Sequence, residues 1–202
     1  MSSVLALIGG LAVAFKVWGD VGLVSGTWKR EIVLHKFTWI IFSLTAWVFL
    51  RSQLDLGMSW GKLFFIWIFV VNLVLLALSY TRGRGTGGAD GWERAALLVA
   101  LISLGLLFTS LSPLWALLCT VTADILGAVM SVVKTWHDPT TEIPQPWMRG
   151  AIGSFFSLIA VGSLNFELMI GPAYFLLFDG LMWWLAARKP RPSSLMPVPT
   201  ES

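Results

Sequence analysis

The chain has 202 residues, of which 56% are hydrophobic and 12% charged, with a mean hydropathy of +0.78. That is too apolar for a soluble domain and too long for one membrane anchor, so a single all-α integral membrane domain is expected. The formal net charge of +3 does not point to nucleic acid, because the basic residues are scattered among short connections and form no stripe or binding motif.

Apolar runs long enough to cross about 30 Å of hydrocarbon predict seven transmembrane helices: Leu5 to Thr27, Phe37 to Leu54, Trp60 to Tyr80, Ala95 to Leu111, Leu114 to Thr135, Trp147 to Gly162 and Phe166 to Ala187. The opening stretch MSSVLALIGGLAVAF lacks a basic n-region and reads as a first spanning helix rather than a cleaved signal. Gly83 to Gly91, GRGTGGADG, reads as a flexible connector after the third helix. The tail from residue 189 onward, rich in proline and serine, is expected to be disordered.

The 14 Lys and Arg residues fall unevenly when these spans alternate sides. Eleven lie on one side: Lys29, Arg30, Lys36, Arg82, Arg84, Arg94, Lys134, Arg149, Arg188, Lys189 and Arg191. Arg51 and Lys62 lie on the other, and Lys16 is inside the first span. This bias predicts an external N-terminus and a cytoplasmic C-terminus, in a plasma or inner membrane. Trp28, Trp39, Trp60, Trp136, Trp147 and Trp184 sit near span ends and read as an aromatic belt at the headgroups. Trp18, Trp47 and Trp67 lie deeper, where packing or lipid contact is expected before the alternative of lining a pocket. The lone cysteine, Cys119, is inside an apolar span, which excludes an internal disulfide.

Four polar side chains fall within the apolar spans at similar depth: Lys16, Asn72, Asp124 and Asp179. Asp124 is twelve residues from Trp136, hence about 18 Å below that end at 1.5 Å per residue. A charge there costs about 2.5 kcal/mol or more unless it faces a partner or water, so a polar interior is expected.

Trp28 and Trp39 have the same spacing as Trp136 and Trp147, and a shift of 108 residues superimposes the two pairs. The same shift places Gly19 on Gly127 and Lys16 on Asp124; a shift of 107 places Asn72 on Asp179. A shift of 105 instead aligns Gly22 with Gly127 and Lys29 with Lys134. The pattern is a parallel repeat of three helices, a linker helix and three helices: a first bundle over 4–80, loop and linker over 81–111, a second bundle over 112–188 and a tail over 189–202.

In this arrangement the chain resembles the SWEET and PQ-loop transporter superfamily and the architecture of PnuC-type vitamin transporters. The residue likeness is best at Gly127-Ala-Val-Met-Ser-Val-Val-Lys134 followed by Asp138-Pro-Thr-Thr-Glu142. The resemblance implies that Asn72 and Asp179, in the third helix of each bundle, occupy the positions of the substrate-contacting asparagines of SWEET proteins. It also implies possible assembly into homo-oligomers. Met130 and Ser25 stand where the family has proline, and Pro144-Gln145 reads as part of the loop before the sixth helix.

The expected function is a carrier that moves a small polar solute, sugar-like or vitamin-like, across the bilayer by alternating access. Asn72 and Asp179 would contact solute, with Asp124 and Lys16 beside them. Lys16, Asp20 and Asp124 would gate the path or brace the bundles as an ion pair, Lys16 with Asp124 across the pseudo-axis or with Asp20 one turn along its own helix. The alternative is a structural or accessory membrane protein of the same fold. No nucleophile–base pair or metal spacing marks an enzyme, and neither metal nor cofactor is expected. His35, His137, Asp138 and Glu142 read as solvated loop residues.

Overall fold

The computed structural model describes residues 2–55, 60–82, 91–106 and 113–188. Over these the chain is helical: α1 (Ser2–Trp28), α2 (Lys36–Asp55), α3 (Trp60–Thr81), α4 (Gly91–Leu106), α5 (Pro113–His137), a 3-10 turn (Pro139–Thr141), α6 (Pro144–Ala160) and α7 (Phe166–Ala186). The expected connector from residue 83 to 90 and the expected tail lie outside the described residues.

Local chemistry accounts for the helix ends. Asn165 caps α7, its side chain accepting from the Leu168 amide at 3.2 Å. Asp138 caps the 3-10 turn, accepting from the Thr140 amide at 3.0 Å. Proline opens α6, so Pro144-Gln145 belongs to the helix and not to the loop expected from sequence. Its missing amide hydrogen is no loss in a first turn, where that donor has no helical partner.

Four helices, α1, α3, α5 and α7, are long and apolar enough to cross a membrane. Leu7, Val21, Val70, Ile125 and Leu177 project outward from them and remain exposed on the isolated chain. This is the surface that an integral membrane protein offers to lipid. The polarity of α2 and α6 is turned inward: Ser43, Thr45, Ser154 and Ser157 are all buried. Ser43 donates to the Trp39 carbonyl at 2.8 Å and Thr45 to that of Ile41 at 3.0 Å, satisfying the hydroxyls within the helix.

Packing follows one pattern twice. In the first half α3 contacts both α1 and α2, and in the second α7 contacts both α5 and α6. The halves meet through α1 on α6 and α2 on α5, while α4 covers α5 and α2. Glycines allow the close approach. A Cβ added at Gly153 of α6 would lie 2.9 Å from both the Ala12 carbonyl oxygen and the Lys16 amide nitrogen of α1. Gly19 of α1 meets α6 at Pro146, Arg149 and Gly150, and Gly127 of α5 meets α2 at Ile41 and Phe42. Ile41 and Phe42 lie 108 residues before Arg149 and Gly150.

The helix ends that carry most of the basic residues are tied together. Lys134 donates to the Val33 carbonyl and to Glu142 Oε1, the latter at 2.5 Å, and Trp147 Nε1 donates to Glu142 Oε2 at 3.1 Å. His35 Nε2 lies 3.1 Å from Glu93 of α4. His35 and Glu142 are therefore buried, contrary to their reading as solvated loop residues, because the short loops fold back over the helix ends. His137 and Asp138 are exposed. Arg82 stacks on Trp28 at 4.0 Å and Arg188 on Trp136 at 4.1 Å.

Replacing Gly153 by Ala is expected to destabilise the fold by about 1–3 kcal/mol, since the contacts it would strain are backbone. Gly10, with open space around it, should accept Ala with no loss. Thermal melting of the two purified variants in detergent compares them directly.

Candidate functional site

A cavity of about 40 Å³ lies where the two halves meet. Its polar wall is Lys16 and Asp20 from α1, Asn72 from α3, Asp124 from α5 and Asp179 from α7. Its aromatic wall includes Trp39, Phe42, Trp147 and Phe178. Both sides of it are closed by apolar packing: Leu23, Trp39, Phe42, Trp147 and Phe178 belong to one buried cluster, Ala46, Phe49 and Ile68 to another.

The four ionisable residues are almost wholly removed from the surface, Lys16 at 8% exposed, Asp20 and Asp179 at 2%, Asp124 at 3%. Lys16 Nζ lies 3.2 Å from Asp20 Oδ1 and 3.6 Å from Asp179 Oδ2. The first contact is set by spacing, since residues four apart share a helix face. The second crosses from α1 to α7. Trp67 Nε1 donates to Asp20 Oδ2 at 2.8 Å, so α3 is joined to the same group. Asp124 accepts from the hydroxyl of Thr45 on α2. Asn72 uses its amide nitrogen to donate to the Phe42 carbonyl at 3.0 Å, a bond between α3 and α2.

Two buried polar atoms on this side of the fold have no hydrogen-bond partner: Asp179 Oδ2 and the Tyr174 hydroxyl. Tyr174 is an electrostatic neighbour of Asp124, but its oxygen closes no hydrogen bond.

All five residues expected at the site thus reach one cavity, with one change of partner. The ion pair foreseen between Lys16 and Asp124 does not form. Lys16 has nearer anions in Asp20 and Asp179, and Asp124 turns to the Thr45 hydroxyl on the helix that α5 packs against. Trp39 and Trp147, read as belt residues, are 4% and 5% exposed and line the cavity instead. Trp28, Trp136 and Trp184 are exposed at the helix ends, while the side chain of Trp60 lies outside the described residues. Of the deeper tryptophans, Trp18 lies under Arg149 at 3.9 Å and Trp47 packs on Phe69, whereas Trp67 joins the charged network.

Sequence reasoning missed Thr45 and Tyr174, and ranked packing or lipid contact first for Trp67, which instead donates to Asp20. Nothing in an apolar span distinguishes a hydroxyl bonded to its own helix from one that also serves a carboxylate across the bundle. The tryptophans did leave a signal, because Trp39 and Trp147 are related by the 108-residue shift, as are Lys16 and Asp124. A shift of 107 pairs Ile68 with Phe175, Val71 with Phe178 and Asn72 with Asp179, all on the cavity wall. The glycine contacts also fit the 105 shift, through Gly22 on Pro146, but the wall pairs Lys16 with Asp124 only in the 108 register.

Comparison with protein-family models, with curated proteins and with solved structures finds no match to any of them.

Removing the Lys16 charge leaves two buried carboxylates facing each other. Lys16→Met is expected to cost about 3–5 kcal/mol of stability. Adding Asp20→Asn and Asp179→Asn to that variant should recover part of the loss, a pattern that denaturant titration of the single and triple variants in micelles would reveal.

Proposed function

We propose that this chain is a membrane carrier with the three-one-three helix arrangement of SWEET and PQ-loop transporters, and that it passes a small polar solute across the bilayer by alternating access. The observation that carries the reading is the position of the polar cavity. It lies between two similarly packed groups of three helices and draws one or more polar residues from the first and third helix of each. A binding site at the interface of two repeats is where a rocking carrier needs it.

In this reading Asn72 and Asp179 contact solute, Asp124 lies beside them, and Lys16 with Asp20 braces the bundles. The cavity offers carboxylates, an ammonium and an amide, groups suited to holding a solute rather than cleaving one. The seven helices all span, α4 links the bundles, the N-terminus is external and the ends joined by Lys134, Glu142, His35 and Glu93 face the cytoplasm. Those ties, together with Trp39 and Trp147, close the cytoplasmic side, so the conformation is one in which the site is shut from that face. Pro172, inside α7 and seven residues before Asp179, removes one helical hydrogen bond and supplies a place for α7 to bend as the bundles move.

A second reading, an accessory membrane protein of the same fold, draws on the small volume of the cavity and on the ion-paired state of Lys16. A packed, permanently closed interior would look like this.

Cysteine placed at Asn72 or Asp179, after Cys119 is replaced by Ser, separates the two. A carrier opens, so both positions should react with a small polar thiol reagent in liposomes. An accessory protein should leave them unlabelled. In the same liposomes, uptake from a pooled set of labelled sugars, nucleosides and vitamins should appear for the wild type and fall at least about tenfold in Asp179→Asn, the effect of losing a buried polar contact to solute.

A further inference from the structure

The charges around the cavity do not balance. Three carboxylates, Asp20, Asp124 and Asp179, share the wall with a single cation, Lys16. Lys16 is within 4 Å of Asp20 and Asp179. The polar neighbours of Asp124 are the hydroxyls of Thr45 and Tyr174 and the carboxylate of Asp179, none of which carries positive charge. Asp179, 2% exposed and lining this wall, has an oxygen, Oδ2, that accepts no hydrogen bond and lies 3.6 Å from Lys16 Nζ.

The hydrogen-bonding inventory points the same way. Ionised carboxylates only accept. The wall's donors already have partners: Asn72 donates to the Phe42 carbonyl, and Lys16 is ion-paired with Asp20 and Asp179. A neutral hydroxylated solute would find acceptors in excess and few donors. A group that is all donor and positively charged meets both needs. The aromatic wall adds to this, because ring faces attract cations, by about 2 kcal/mol or more where water is excluded. Trp39 and Phe42, Phe42 and Phe178, and Trp147 and Phe178 meet edge to face with centroids 5.6, 5.7 and 5.6 Å apart, and all four rings line the cavity.

We infer that the cavity recognises an organic cation whose ammonium or amidinium head sits between Asp124 and Asp179 against the tryptophan pair Trp39 and Trp147. The inference rests on reading this cavity as the solute site of a carrier, and narrows the solute from polar to cationic. In the closed conformation the cavity admits a head group of this size. The body of the solute occupies space made when the bundles part.

The test uses the purified full chain and two pairs of near-isosteres at pH 7, benzylammonium with benzyl alcohol and benzamidinium with benzamide. Ligand-dependent thermal melting is measured for the wild type and for Asp124→Asn. Each cation should raise the wild-type melting temperature at concentrations about tenfold or more below those its neutral partner needs. In Asp124→Asn, folded as judged by its own melting curve, that preference should disappear. Equal effects of cation and neutral partner, or no effect of either cation, would overturn the inference without recourse to any variant. Neutralisation of the aspartates by protons alone predicts that second result.

Uptake assays separate this outcome from the carrier reading. Preferential cation binding with no uptake of any solute upholds the cation site and removes the carrier. Uptake confined to neutral solutes does the reverse.

Discussion

The fold depends on how carboxylates are held inside a bundle whose outer surface is apolar. Asp20, Asp124 and Asp179 are each buried in a helix of bilayer-spanning length and composition. An isolated charge at such depth is costly. The protein distributes that cost: Asp20 draws on Lys16 and Trp67, Asp179 on Lys16, and Asp124 on the Thr45 hydroxyl. Each of these contacts except the one within α1 joins two different helices. The polar groups therefore fix how α1, α2, α3, α5 and α7 are turned about their axes.

Backbone proximity makes those contacts possible. Side chains of ordinary size at Gly19, Gly127 and Gly153 would hold the facing helices apart, because their Cβ positions fall at or within about 3 Å of atoms on the opposite helix. Small residues at helix crossings are a general device in membranes, where apolar surface alone gives helices no preference for one another over lipid. Here the α1–α6 and α5–α2 crossings use it in corresponding places. Between them lies a layer in which the two halves differ in charge: Lys16 opposite Asp124 by repeat position, and neutral Asn72 opposite Asp179. Symmetric packing thus supports an asymmetric site.

The asymmetry bears on mechanism. A strictly two-fold site would present equal charges from both halves and no net field along the interface. This one places an ion-paired lysine and aspartate on α1 and one further carboxylate each on α5 and α7. Movement of one bundle relative to the other changes the distance from Lys16 to Asp179, since that contact crosses between halves, but not the distance from Lys16 to Asp20, which share a helix. In the proposed carrier, opening the bundles would therefore expose Asp179 while Lys16 stays paired with Asp20. At the basic end the bond from Lys134 to the Val33 carbonyl crosses between the halves, so the opening proposed for a carrier would have to break it.

Much of this was legible in the residues. All seven helices lie close to where hydropathy predicts them, and Lys16, Asn72, Asp124 and Asp179 all reach one cavity. A polar residue in an apolar span has few stable places to go, so depth alone brings such residues to a common interior. The pairing of Lys16 with Asp20 was legible from their spacing, but partner choice between helices was not. Lys16 prefers Asp179 to Asp124, and Trp39 and Trp147 turn inward rather than to the headgroups, because each helix's rotation is set by glycine contacts and by hydroxyls such as Thr45 from distant parts of the chain. Hydropathy along one helix determines where it starts, where it ends and that its charges must be sheltered. Which charge shelters which is decided across helix interfaces, where a rotation of a few tens of degrees exchanges one neighbour for another at no change in burial.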